Sequence, residues 1–264
     1  MLRYNVGSRL AYYRDIRKLV DRMISTVNRD VLGLFKKPVA REFFAMDESI
    51  SSQSRILLNK LTSKFNTLFK SKAREIAERM VYGQEKLSNS SVKNSAKTVY
   101  ENLSLPGNIV SPDLEDVIKA SVAENVALIS SISEKYMQSI TGDVMRAVTE
   151  GSGEKSLRSS LMKHAGITQE RAKRIAADQV NKVYTAVNIQ KLKALDQGKF
   201  VWVHSGGGQH PRDSHLKIDG EIFSLDHSEL IAAQQALGFK YQDQGFPGYP
   251  VNCRCTMQMV LELT

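Results

Sequence analysis

The chain has 264 residues, 42% of them hydrophobic, and 37 Lys+Arg against 28 Asp+Glu give a formal net charge of +9. That is enough for one large domain or two modest ones around a real apolar core. No uninterrupted apolar run approaches the roughly 18 residues of a membrane span, and charges at Arg3, Arg9, Arg14 and Asp15 leave no apolar signal-peptide core, so a protein made in a cytoplasm is expected.

The charge is uneven. Residues 1–196 hold 32 basic against 21 acidic side chains, and residues 197–264 hold 5 against 7. A basic body suits a polyanionic neighbour, most simply nucleic acid bound through counterion release without reading of sequence. A solvated helical surface rich in lysine is the other account of the same charges.

In chain order, Leu10, Tyr13, Ile16, Val20, Met23, Val27, Val31 and Leu34 recur every three or four positions. That spacing predicts a helix with one apolar stripe, stopped by Pro38. A second helix is predicted from about Ser49 to Tyr82, with Leu57, Leu61, Phe65, Leu68, Ile76 and Met80 on one side and Gly83 at its end. Residues 83–95, with Ser88, Asn89, Ser90 and Ser91, read as a polar loop or a weak helix start.

Ser111-Pro112-Asp113 is a helix opening: Ser accepts free N–H groups, Pro suits the first helical position, and Asp favours the positive end of the dipole. That helix runs to Val148, with Gly142 as a kink, and Gly151-Ser152-Gly153 breaks it. A short helix follows near Ser156–His164. Another begins after Gly166-Ile167, with Thr168 as N-cap and a stripe of Ala172, Ile175, Ala176, Val180, Val183, Tyr184 and Val187. Gly198 closes the helical part.

Beyond it the composition changes. Half of the 16 glycines and three of the six prolines fall in residues 197–264. Phe200–Val203 reads as a strand, Gly206-Gly207-Gly208 as a loop, and Ile218-Asp219-Gly220-Glu221-Ile222 as a hairpin, because Asp-Gly favours a tight turn. Cys253–Val260 reads as a closing strand. The fold class expected is mainly α, a long-helix trunk with a small C-terminal α+β module as a compact cap. The boundaries are an N-terminal helical region over 1–110 for partner docking, a trunk over 111–198, and the cap over 199–264.

Four of the five histidines and both cysteines lie between His204 and Cys255. A disulfide across one residue would be badly strained, so Cys253 and Cys255 read as thiols or ligands. On a strand, residues two apart face one side, and with His215 and either His210 or His204 they would complete a tetrahedral shell for structural zinc. Buried cysteines acting as small apolar groups are the plainer account. His210, Asp213, His215 and Asp219 also admit a metal-dependent nuclease or hydrolase. Arg212 is expected to pair with Asp213, Asp219 or Asp226, or to grip a phosphate. Arg254 would do likewise from the opposite face, while Asp219-Gly220 makes a turn and Trp202 fills the cap's core. Phosphate contact is assigned to Lys173, Arg174, Lys182, Lys191 and Lys193, and in the trunk to Lys60, Lys64, Lys70, Lys72 and Arg74.

Residues 151–188, with Arg171-Ala172 and Ile175-Ala176, are followed by Trp202-Val203-His204, Pro211-Arg212, His215, Asp219-Gly220 and Cys253-Arg254-Cys255. This order resembles the phage head morphogenesis family, the minor head proteins related to the F protein of phage Mu and to a minor capsid protein of phage SPP1. The resemblance covers roughly residues 110–264. It departs at Asp178-Gln179, where such proteins often carry Thr-Glu. It implies a non-enzymatic, low-copy virion component, assembled in the host cytoplasm and held inside the head. Its implied partners are the portal protein, the major capsid or scaffolding protein, and double-stranded DNA bound without sequence preference. It also implies no membrane partner, and departure with the genome on ejection.

Overall fold

The computed structural model describes residues 6–36, 49–99, 109–151, 154–206 and 211–260. The described residues form α1 (Val6–Lys36), α2 (Ile50–Val99), α3 (Pro112–Thr149) and α4 (Glu154–Ala194). Then come β1 (Lys199–Val203), α5 (Asp213–Lys217), β2 (Ile222–Ser224), α6 (His227–Ala236), a 3-10 turn at Tyr241–Asp243, and β3 (Thr256–Met259). The fold is mainly α with a small α+β module near its C-terminal end. No helix among the described residues is long and apolar enough to cross a membrane.

The long helices are fewer and longer than local signals predict. α2 runs past Gly83, and α4 runs through Gly166. Thr168, expected as an N-cap, is a helix-interior residue whose hydroxyl donates to the His164 carbonyl at 2.7 Å. An interior glycine costs a helix only about 1 kcal/mol, and side chains buried on both sides of it, Leu161 and Ala172 around Gly166, outweigh that. Gly142 likewise lies inside α3. Ser111 caps α3 as expected, accepting from the Leu114 N–H at 3.2 Å. The Pro38 stop lies outside the described residues.

The helices are divided between two compact units. The described residues of 12–76 and 124–175 make one, and those of 1–11, 77–123 and 176–264 make the other. In the first, α1 buries Tyr12, Ile16, Val20, Met23, Val27 and Val31, one position off the expected stripe at its start, since Tyr12 turns inward and Leu10 stays 52% exposed. These apolar side chains fill the unit's own core. Polar pairs tie the helices: Tyr12 donates to Asn125 at 2.7 Å, Ser133 to Asn66 at 2.9 Å, and Arg171 to Ser131 at 2.9 Å.

In the second unit, α2 and α4 run antiparallel along a polar ladder. Lys191 donates to Glu85, Ser88 to Asn188, and the Tyr184 hydroxyl to Ser91. The helix face at Gln84 and Ser88 is fully buried although it is not apolar, which is why the stretch after Gly83 carries no helical apolar stripe. The sheet has the order β2-β1-β3, antiparallel throughout. Phe200 pairs with Phe223, and Trp202 with Met257. Alternation puts Phe200 and Trp202 into one core with Phe223, Leu230, Phe239, Phe246, Cys253, Cys255 and Met257, against Ile189 and Leu192 of α4. Ile218–Ile222 is not a hairpin. β1 and β2 are joined through 204–221, which contains α5, and Asp219-Gly220 is the turn that leaves α5.

Candidate functional site

The C-terminal module brings His215, Cys253 and Cys255 together, one donor atom from each lying within 4.8 Å of the others. His215 Nδ1 stands 3.5 Å from Cys253 Sγ and 3.6 Å from Cys255 Sγ. His215 is 2% exposed and each cysteine 4%. Both cysteines are free thiols. His210 lies outside the described residues. His204 stays apart, accepting from the Gly206 N–H on its Nδ1 at 3.1 Å. Neither Asp213 nor Asp219 joins the cluster among the described residues; Asp219 accepts the His204 backbone N–H at 2.7 Å.

Each donor is held from behind. His215 Nε2 lies 2.9 Å from the Asp243 carbonyl, which can only accept, so Nε2 carries a proton and Nδ1 faces the sulfurs. Trp202 meets the imidazole edge-on at a centroid distance of 5.0 Å, and Phe239 stacks on it at 5.9 Å. Cys253 Sγ accepts the Gly248 N–H at 3.4 Å. Cys255 Sγ takes a backbone hydrogen bond from Ser205.

The electrostatics follow. The Cys255 thiol donates to Cys253, and this, with His215 alongside, outweighs burial and pulls Cys253 down to about 4. Sharing with the Cys253 thiolate, and then burial, push Cys255 far up. Burial opposes the His215 imidazolium, but hydrogen bonds to Cys253 and to the Asp243 carbonyl outweigh it, and its pKa is raised.

The loop carrying the cysteines is fixed by polar side chains far away in sequence. Arg212 pairs with Asp243 at 2.6 Å and donates to the Val251 carbonyl at 2.8 Å, binding the turn behind His215 to the turn before Cys253. The expected ion pair is present with a different partner, since the fold brings residue 243 to Arg212. Asn181 of α4 donates to the Cys253 carbonyl and Thr185 to the Pro247 carbonyl. Gln234 of α6 both donates to and accepts from the Gly245 backbone. Gly248, at φ +85°, passes so close to α4 that an added Cβ would lie 3.3 Å from Asn181 Cβ. Gly220, at φ +86°, donates its N–H to the Trp202 carbonyl at 2.8 Å. Arg254 points outward and is exposed.

The basic residues divide. Arg174 and Lys193 are exposed, as is Lys173 at 3.7 Å from Glu170, while Lys182 is half-buried on Asp178 at 2.8 Å. Lys191 is a correction: it is 0% exposed and its ammonium donates to the Glu85 carbonyl and carboxylate, so it offers nothing to a phosphate. Burial lowers its pKa, and Glu85 opposes that shift. Lys60, Lys64, Lys70, Lys72 and Arg74 are exposed. Asp243, Asn181, Thr185 and Gln234 have no sequence signal, because contacts between a side chain and a distant backbone leave no periodic trace.

Compared with known proteins, residues 138–258 match the family of phage Mu protein F like proteins. That segment is a phage Mu F-like segment. It starts inside α3, ends on β3, and contains the whole His215–Cys253–Cys255 cluster. The resemblance carried by the His, Asp-Gly and Cys-Arg-Cys order is thereby borne out, with a later start than residue 110. The chain is also 25% identical over 248 residues to an uncharacterized protein of Haemophilus influenzae, covering 93% of this chain and 52% of that protein. It thus spans about half the length of that relative, and the likeness takes in the N-terminal helices as well as the F-like segment. No solved structure matches the chain.

Proposed function

We propose that the protein is a minor head protein of a tailed bacteriophage. It joins the procapsid during assembly, docks near the portal inside the head, meets packaged double-stranded DNA without reading its sequence, and leaves with the genome. The observation that carries this is the F-like match over 138–258, which includes the whole His215–Cys253–Cys255 cluster. The surplus of 37 Lys+Arg over 28 Asp+Glu supports the DNA contact, with Lys173, Arg174 and Lys193 exposed for it. The stripes of α1 and α2 are buried in the protein's own core, so docking by residues 1–110 would use their polar outer faces. The role asks for association and for no turnover of a substrate. Mass spectrometry of purified particles tests it: the protein is expected in full heads and missing from emptied ones, and its absence from full heads overturns the proposal.

A further inference from the structure

We propose that His215, Cys253 and Cys255 bind one zinc ion that locks the C-terminal module, independently of where the protein acts in a particle. Zinc held by thiolate and imidazole has Zn–S near 2.3 Å and Zn–N near 2.05 Å, so a tetrahedron places each sulfur about 3.6 Å from the nitrogen. The two measured separations are 3.5 and 3.6 Å. A hydrogen-bonded triad in which the Cys255 thiol donates to Cys253 and Cys253 bonds to Nδ1 gives the Cys255–Nδ1 pair no bond, yet both sulfurs stand equally near the nitrogen.

The surroundings fit a metal better than a packing role. The imidazole N–H turned away from the sulfurs is fixed by a backbone carbonyl, the arrangement that orients metal-bound histidine and sharpens its donor strength. Each sulfur receives a backbone N–H, from Gly248 and from Ser205, which offsets negative charge on a buried thiolate. Two thiolates and one imidazole with no carboxylate are a soft set, suited to zinc over magnesium or calcium. The donors also come from two pieces of chain far apart in sequence: α5, and the stretch 253–255 that leads into β3. Joining them by a metal would close the loops from 216 to 252, a segment otherwise held by Arg212 and by single polar side chains.

The test uses the full chain, purified without chelators from zinc-supplemented cells. Elemental analysis is expected to give about one zinc per chain. Replacement by Co2+ should give the intense visible bands of a tetrahedral site with a near-ultraviolet thiolate-to-cobalt band. Cys253→Ser, Cys255→Ser and His215→Asn should each weaken metal retention at least about tenfold, whereas Arg254→Ala, between the cysteines but facing outward, should retain the ion. Should the ligand variants fail to fold, the wild type decides: adding Zn2+ to chelator-treated protein should raise its Tm. Folded wild-type protein that lacks zinc and shows no Tm response to it overturns the proposal, as does a cobalt form without the thiolate band. Neither result bears on whether the protein is found in phage heads.

Discussion

Asp143 of α3 illustrates what one side chain contributes. It accepts from Ser160, meets His164 Nε2 at 2.8 Å and lies 3.2 Å from Arg146. The Ser160 hydrogen bond, opposed by burial and assisted by His164 and Arg146, holds the carboxyl below its ordinary value of 3.8. A carboxyl depressed in the folded state stabilises above its unfolded pKa and loses that contribution as pH falls through the folded one. Asp143→Asn is therefore expected to be less stable than wild type in urea at pH 7, and the difference should start to shrink at about pH 4 and vanish only below the depressed folded-state pKa. Lys191 is the opposite case, since burial disfavours its charge and the Glu85 carboxylate and carbonyl offset that cost. Lys191→Met leaves Glu85 and its carbonyl without their donor and should cost about 3 kcal/mol, read as a lower denaturation midpoint.

The helices show what an element contributes beyond local propensity. Gly83 and Gly166 carry the standard signs of helix ends, yet both lie inside continuous helices, and a Cβ added at either meets nothing within 4 Å. Gly83→Ala and Gly166→Ala should therefore each stabilise by about 0.5–1 kcal/mol, seen as a raised Tm, through loss of unfolded-state freedom. A real helix end at either position would make the same change destabilising. A long apolar stripe is legible because burial of one face repeats every 3.6 residues, so α1 is predicted nearly to length, and α3 is too, from its Ser111-Pro112-Asp113 opening and the Gly151-Ser152-Gly153 break. The second half of α2 is not, because its buried face makes hydrogen bonds through Glu85, Ser88 and Ser91 to α4 and carries little apolar signal.

At the scale of the whole molecule, charge decides more than any one site. The surplus of basic residues sits before residue 197, and the cluster-bearing segment after it is slightly acidic. Binding to double-stranded DNA is expected to be weak, indifferent to sequence and steeply salt-dependent. The double variant Lys173→Ala/Arg174→Ala should flatten the slope of log affinity against log salt by about two. Lys191→Ala, with its ammonium already committed to Glu85, should leave that slope unchanged. A curve that is flat between low and moderate salt contradicts DNA contact altogether.

By itself the sequence determined the fold class, the family resemblance and the sulfur and imidazole donors. Those follow from composition, from 3.6- and 2-residue periodicities and from motif order, all local in the chain. Tertiary structure alone decided how close His215 stands to the two thiols, that Arg212 answers to Asp243, and that Lys191 faces inward. These depend on pairs from 28 to 106 residues apart, such as His215 with the Asp243 carbonyl and Lys191 with Glu85. Distance through space is set by packing of the whole chain, and no local pattern encodes it.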